Sequence, residues 1–178
     1  MTSFANEYGD GLYILAREER LEWKILDQAE MVEKSFRQFP DFLSLLDIRT
    51  IPLAEREEVL KKAFEGQIHV YLLNFLMLLV KRGGIREFSA CIQRFRDDYY
   101  RDNNISLATV STVRPLTAGQ KQKITDKLSR MTGRKIILSE RVDPSLIGGI
   151  CVDVDGRRID NTIKTRMALL RRSLNADA

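Results

Sequence analysis

The residues best suited to chemistry gather in the run Asp143–Asp160, DPSLIGGICVDVDGRRID, which holds a glycine pair and several carboxylates. A glycine pair can cradle a phosphate when its amides open a helix, usually beside a lysine that neutralises the charge. Gly148 and Gly149 instead lead into alternating apolar residues, and no GKS, GKT or GxGxxG pattern follows. Backbone freedom at a bend entering a strand is the reading they support. Asp153, Asp155 and Asp160 lack the spacing of a calcium loop, which leaves a solvated strand face, a hairpin turn and a helix cap. His69 is the single histidine, so multi-histidine metal sites and histidine-based triads lack their parts. It is expected to sit in a helical core with one hydrogen-bond partner. Cys91, near an apolar helix face, and Cys151, opposite the Ile150/Val154 face, share no CxxC spacing and have no activating neighbour. Trp23 is expected to pack. These residues assemble no catalytic, cofactor-binding or metal site, and no cofactor is expected.

Binding is the remaining possibility, and charge bears on it. Residues 1–104 carry 15 Lys+Arg against 18 Asp+Glu, whereas residues 105–178 carry 14 against 7. Such asymmetry suggests two units with different partners. In the basic half, Lys164, Arg166, Arg171 and Arg172 lie beside an apolar stripe. The partner of such a half could be nucleic acid, an anionic membrane or an acidic protein surface, and charge alone does not choose. Stacking on nucleic acid calls for aromatic residues, and none follows Asn104.

These residues depend on elements whose hydrophobic periods are legible. Phe4, Tyr8, Leu12 and Leu15 recur at helical spacing, as do Ile25, Ala29, Val32 and Phe36. DFLSLLDI gives a short helix from about Asp41, and LAEREEVLKKAFEG has early acids and late lysines, with Gly66 as its stop. IHVYLLNFLMLLV, at 13 residues, is too short to span a bilayer, which takes roughly 20. It predicts a buried helix from about Ile68 to Arg82, ended by Gly83–Gly84. A last helix in this half carries Phe88, Ile92, Phe95 and Tyr99 on one face.

At Ile105 the period changes from 3.6 to 2. ISLATVSTV alternates, with Ile105, Leu107, Thr109, Ser111 and Val113 on one side. Thr117 caps a helix with the stripe Ile124, Leu128 and Met131 and the stop Gly133, and KIILSERV is a second strand. A crossover of this length joins parallel strands. Asp143–Pro144 opens a turn, Asp155–Gly156 forms a hairpin turn, and Asp160 or Thr162 caps a final helix with Ile163, Met167, Leu170 and Leu174 aligned. The expected fold class is α+β: an all-α six-helix bundle, residues 1–104, then a small β-α-β-β-β-α domain, residues 105–178. Nothing at the start of the sequence reads as a signal or transit peptide, and a reducing cytoplasm is the expected setting.

The run RVDPSLIGGICVDVDGRRIDNTIKTRMALLRRSL, preceded by VRPLTAGQKQKITDKLSRMTGRKI and, in the helical half, by LAEREEVLKKAFEG and NFLMLLVKRGGI, resembles one family end to end. That family is the delta subunit of the bacterial F-type ATP synthase, equivalent to the mitochondrial oligomycin-sensitivity-conferring protein. Within the most specific stretch, Asp143, Pro144, Ile147, Gly148, Gly149, Gly156 and Asp160 match the family's structural motif. The chain departs from the family at YGDGL, where Gly9 and Asp10 replace small helix formers, and at RGGI, where Gly84 takes the place of an arginine.

The resemblance implies a non-catalytic stator subunit, on the cytoplasmic face of the bacterial inner membrane and present in one copy per complex. Its implied partners are the alpha subunits of the catalytic head, or alpha together with beta, and the b subunits of the peripheral stalk, with no nucleic acid and no membrane span. The groove for an alpha N-terminal helix would involve Phe4, Tyr8, Leu12, Leu15, Tyr71, Phe75 and Leu78. The stalk contact would involve Lys164, Arg166, Arg171 and Arg172. A stator transmits torque without turnover, so two binding surfaces and no active site suit it. A small RNA-binding or translation-associated protein is the alternative, and predicts affinity that falls steeply with salt.

Overall fold

The computed structural model describes residues 2–168 and shows a mixed helix-and-sheet chain. Its contacts divide it into two compact units, one up to Tyr99 and one from Tyr100. The first contains α1 (Ser3–Glu18), α2 (Glu22–Gln38), α3 (Pro40–Asp47), α4 (Leu53–Phe64), α5 (Val70–Arg82), a 3-10 turn (Ile85–Glu87) and most of α6 (Phe88–Asp102). The second contains β1 (Ile105–Thr112), α7 (Ala118–Thr132), β2 (Lys135–Val142), β3 (Gly149–Val154) and β4 (Arg157–Thr162). Residues 163–168 are helical as well.

In the helical unit, local chemistry sets the ends of the central element. The His69 Nδ1 accepts the Tyr71 amide at 3.3 Å and so caps α5, while Gly83, at φ +70°, ends it in the left-handed region. Ile68 is therefore buried ahead of the helix instead of starting it. Leu72, Leu76 and Leu79 are wholly buried, and each contributes about 1.5–3 kcal/mol of hydrophobic stabilisation. Phe36 packs edge-on against Phe64 and Phe88, tying α2, α4 and α6 together. The buried Arg56 donates to the carbonyl of Leu46, in the last turn of α3, and to that of Ile51, in the segment between α3 and α4. Trp23 is 66% exposed and packs in no core, contrary to expectation, because it occupies the outward side of the first turn of α2.

Two family departures have local explanations. Gly9 is buried, and a Cβ there would stand 2.6 Å from the Cys91 carbonyl oxygen and 2.8 Å from Arg94 Cβ, so glycine lets α1 approach α6. Asp10 beside it accepts from Arg94 Nε at 2.5 Å. At Gly84, the Phe4 ring fills the space a Cβ would take.

In the second unit the sheet order is β2-β1-β3-β4, with β1 and β2 parallel and the other pairs antiparallel. α7 is the crossover between β1 and β2, and Thr117 and Gln120 close a capping box at its start. Its Leu128 packs with Ala108, Val110, Ile136, Val152 and Val154. The core side of β1 is thus Ser106, Ala108, Val110 and Thr112, while Leu107 is 44% exposed on the other side. Met131, expected in the packed stripe of α7, is 60% exposed, because the last turn of the helix runs past the core. Asp155 and Gly156, at φ +49° and +78°, form the two-residue turn between β3 and β4.

Candidate functional site

An apolar groove of about 650 Å³ lies between α1 and α5 of the helical unit. One wall comes from Tyr8, Leu12 and Leu15, at i, i+4 and i+7 on α1. The other comes from Tyr71, Phe75 and Leu78, at i, i+4 and i+7 on α5. Their depths differ: Leu12 and Phe75 are 4% and 7% exposed and form the floor, whereas Leu15 and Leu78 are 36% and 39% exposed at the lip. Phe4 is not among the lining residues; its ring stacks on Tyr8 at 4.1 Å and turns toward Gly84. The cap that starts α5 also fixes Tyr71, whose ring meets His69 edge-on at 4.9 Å.

Glu7, Gly11 and Asn74 complete the lining, and the apolar periodicity does not single them out. Glu7 supplies one carboxylate at the edge, held by the Ser3 hydroxyl at 2.9 Å. Asn74 interrupts the apolar run of α5 and is exposed, which is the one sequence signal that could have flagged it. Two apolar walls at helical spacing, with polar residues at the edge, suit the apolar face of an amphipathic helix. They offer no convergent acid, base or nucleophile. Burial pushes the Cys91 thiol up to about 11, so it stays protonated and unreactive at neutral pH. Among the described residues no three His, Cys, Asp or Glu are grouped as metal ligands, and no helix is long and apolar enough to cross a membrane.

The DPSLIGG stretch is architecture. Asp143 Oδ1 accepts the Ser145 amide at 3.0 Å, and its hydrogen bonds to Ser145 hold this carboxyl below the usual range. After Pro144 and the 70% exposed Ile147, the glycines let two segments meet. A Cβ on Gly149 would stand 2.5 Å from the Asn161 carbonyl oxygen, and one on Gly148 would stand 2.7 Å from Ile163 Cδ1. Asp160 accepts the Thr162 amide, and the Thr162 hydroxyl accepts the Thr165 amide, so Thr162 is the residue that caps the last helix. Lys164 and Arg166 are exposed on its first turns. Arg171 and Arg172, with Leu170 and Leu174, lie outside the described residues.

Comparison with known proteins bears on the family and the fold. A family model described as "ATP synthase delta (OSCP) subunit" matches residues 4–174. The ATP synthase subunit delta of Carboxydothermus hydrogenoformans is 32% identical over 170 residues, covering 96% of each chain. That of Desulfitobacterium hafniense is 30% identical over 176 residues, covering 97% of each. A chain in the cryo-EM structure of the Toxoplasma gondii mitochondrial ATP synthase hexamer shares the fold, with a TM-score of 0.69 at 19% identity over 97% of this chain and 98% of that one. The RNA-binding alternative finds no support in these matches. This chain belongs to the ATP synthase delta (OSCP) subunit family, and it is a stator subunit of the peripheral stalk of an F-type ATP synthase.

Proposed function

We propose that residues 1–104 form the six-helix, head-binding domain, and that the α1–α5 groove receives the N-terminal helix of an alpha subunit. Residues 105–178 are the β-α-β-β-β-α domain that holds the b subunits of the stalk, with Lys164, Arg166, Arg171 and Arg172 among the contacts. One copy would join head to stalk on the cytoplasmic face of the bacterial inner membrane. The observation that carries the first half is the groove itself: Tyr8, Leu12, Leu15, Tyr71, Phe75 and Leu78 line one trough. Its lip residues Leu15 and Leu78 are exposed, and a helix laid between them would remove them from water.

The test is a calorimetric titration of the full chain with a peptide of the cognate alpha subunit's N-terminal helix. Saturable one-to-one binding that survives moderate salt is expected. Leu15→Asp and Leu78→Asp alter exposed positions, so both variants should fold and lose the peptide. Retained affinity in both would remove the groove from the mechanism.

A further inference from the structure

The single histidine of the chain stands where α5 begins, and three hydrogen bonds fix it there. Its amide donates to Gln28 Oε1 on α2 at 2.7 Å, and its carbonyl accepts the Leu73 amide at 3.0 Å. Its Nδ1 accepts the Tyr71 amide at 3.3 Å. Buried Ile68 before it and Leu72 after it hold the backbone in place. The residue it caps belongs to the groove: Tyr71 lines the α1–α5 trough, and its ring meets the His69 ring edge-on at 4.9 Å.

Caps are ordinarily Ser, Thr, Asp or Asn, whose oxygens accept a hydrogen bond throughout the neutral range. A ring nitrogen differs. Nδ1 accepts only in the neutral ring that carries its proton on Nε2, whereas in the imidazolium both nitrogens donate. Protonation removes the acceptor and turns an N–H toward the Tyr71 N–H. It also puts a positive charge at the end of a helix whose dipole is already positive there. Both effects oppose the cap. On α2, Gln28 is uncharged, with Asp27 next to it and Lys24 one turn before; the end of α4 brings Lys61, Lys62 and Glu65; and α5 has no charged residue before Lys81. Across the groove, α1 contributes Glu7, which lines the same trough as Tyr71. Among the described residues none of these makes an ion pair with His69.

We infer that His69 is a positioning residue for the groove: its neutral ring holds the start of α5, and with it Tyr71, in the place that receives the partner helix, and its protonated ring releases them. The inference rests on the α1–α5 groove as the site of the alpha N-terminal helix and adds a pH dependence to that site. Histidine is the side chain whose ordinary charge change falls between about pH 5 and 8. The partner helix is therefore held above that range and loosened as the pH falls through it.

The experiment titrates the full chain with the cognate alpha N-terminal peptide by calorimetry, at the two ends of that range. Wild-type, His69→Ala and His69→Asn chains are compared, with circular dichroism confirming folding at each pH. At the upper pH, His69→Ala should bind about threefold or more weakly than wild type, the size of effect a lost cap carries. His69→Asn, a cap with no titratable ring, should restore what His69→Ala loses. On acidification the wild type should weaken by about threefold or more beyond the change seen in His69→Asn, which carries only the titration of the peptide and of Glu7. If His69→Ala does not fold, the comparison of wild type with His69→Asn decides alone. Parallel pH profiles for those two chains, or a wild type that tightens in acid relative to His69→Asn, would overturn the inference and leave the groove standing. Absence of wild-type binding at both pH values would overturn the groove and the inference with it.

Discussion

Gly9 and Gly11 stand two residues apart on α1 and answer to different constraints. A Cβ on Gly9 would meet the Cys91 carbonyl and Arg94, whereas one on Gly11 would meet nothing within 4 Å. Neither has a positive φ, so a side chain strains neither backbone. Glycine in a helix interior costs about 1 kcal/mol relative to alanine. Gly11→Ala should therefore stabilise the helical unit by about that amount, while Gly9→Ala should destabilise it by about 1–3 kcal/mol through overpacking against α6. Thermal or urea unfolding followed through Trp23 fluorescence and helical ellipticity reads both signs, and equal shifts in the same direction would contradict this account. The sequence YGDGL shows two glycines and a helical period, but not which glycine faces a neighbour. That distinction comes from α6, some eighty residues away in the chain. Leu12 and Leu15 pose the same problem: both fit the apolar period, yet one is buried and the other is at the lip of a groove.

Elements were legible wherever a local signal ended them. Gly83 after α5, Thr117 before α7 and Gly133 after it, and the Asp155–Gly156 turn all act within a few residues of themselves, whereas the His69 cap was not legible because the apolar run already begins at Ile68. The core side of β1 was not legible, because Leu107 is more apolar than Ser106 or Ala108 and yet is the exposed one. Burial there is decided by which side α7 covers. Met131 followed the stripe of its helix, but the helix outruns the sheet core. One side chain ties these elements together: Glu140 on β2 accepts from Lys121 Nζ at 2.7 Å and from the Leu116 amide, joining the strand to the start of α7. The Lys121 hydrogen bond, followed by the Leu116 amide, holds this carboxyl below its ordinary value of 4.5. A depressed carboxylate contributes stability that is present above its unfolded value and is lost as pH falls through the folded value. Glu140→Gln should thus be less stable than wild type at pH 7, and the difference should shrink as the medium is acidified below 4.5. Amide NMR signals of residues 105–168 can follow this, since no Phe, Tyr or Trp follows Asn104. Asp143 and Asp160, also held low by hydrogen bonds, keep part of the acid dependence in the variant. A stability gap that does not change with pH would refute the role given to Glu140.

At the scale of the whole molecule, the two units differ in how much of their stability is their own. The helical unit closes a continuous core from Ala5 through Phe95, with wholly buried Leu60, Leu72, Leu76, Phe88 and Ile92. Among the described residues, the buried core of the second unit is Ala108, Val110, Leu128, Ile136, Val152 and Val154, of which Leu128 is the one contributed by a helix. Apolar residues that would enlarge it, Met131 and Ile159, are left in water. A small core gives sub-global opening a low free energy, and opening is what amide exchange measures. In the isolated chain, the slowest-exchanging amides should lie in α2, α5 and α6, with those of β1, β2 and β3 exchanging faster although every strand pair is hydrogen-bonded. The expectation follows from the task as well as from the core. Under the proposed assignment a stator subunit is held at both ends, so a partner bound to the second unit would supply burial that the unit lacks when it is alone. Hydrogen exchange read by mass spectrometry on the isolated chain checks this directly. Equal protection in the two units would mean that the second is complete without a partner, and that its exposed apolar residues serve something other than stability.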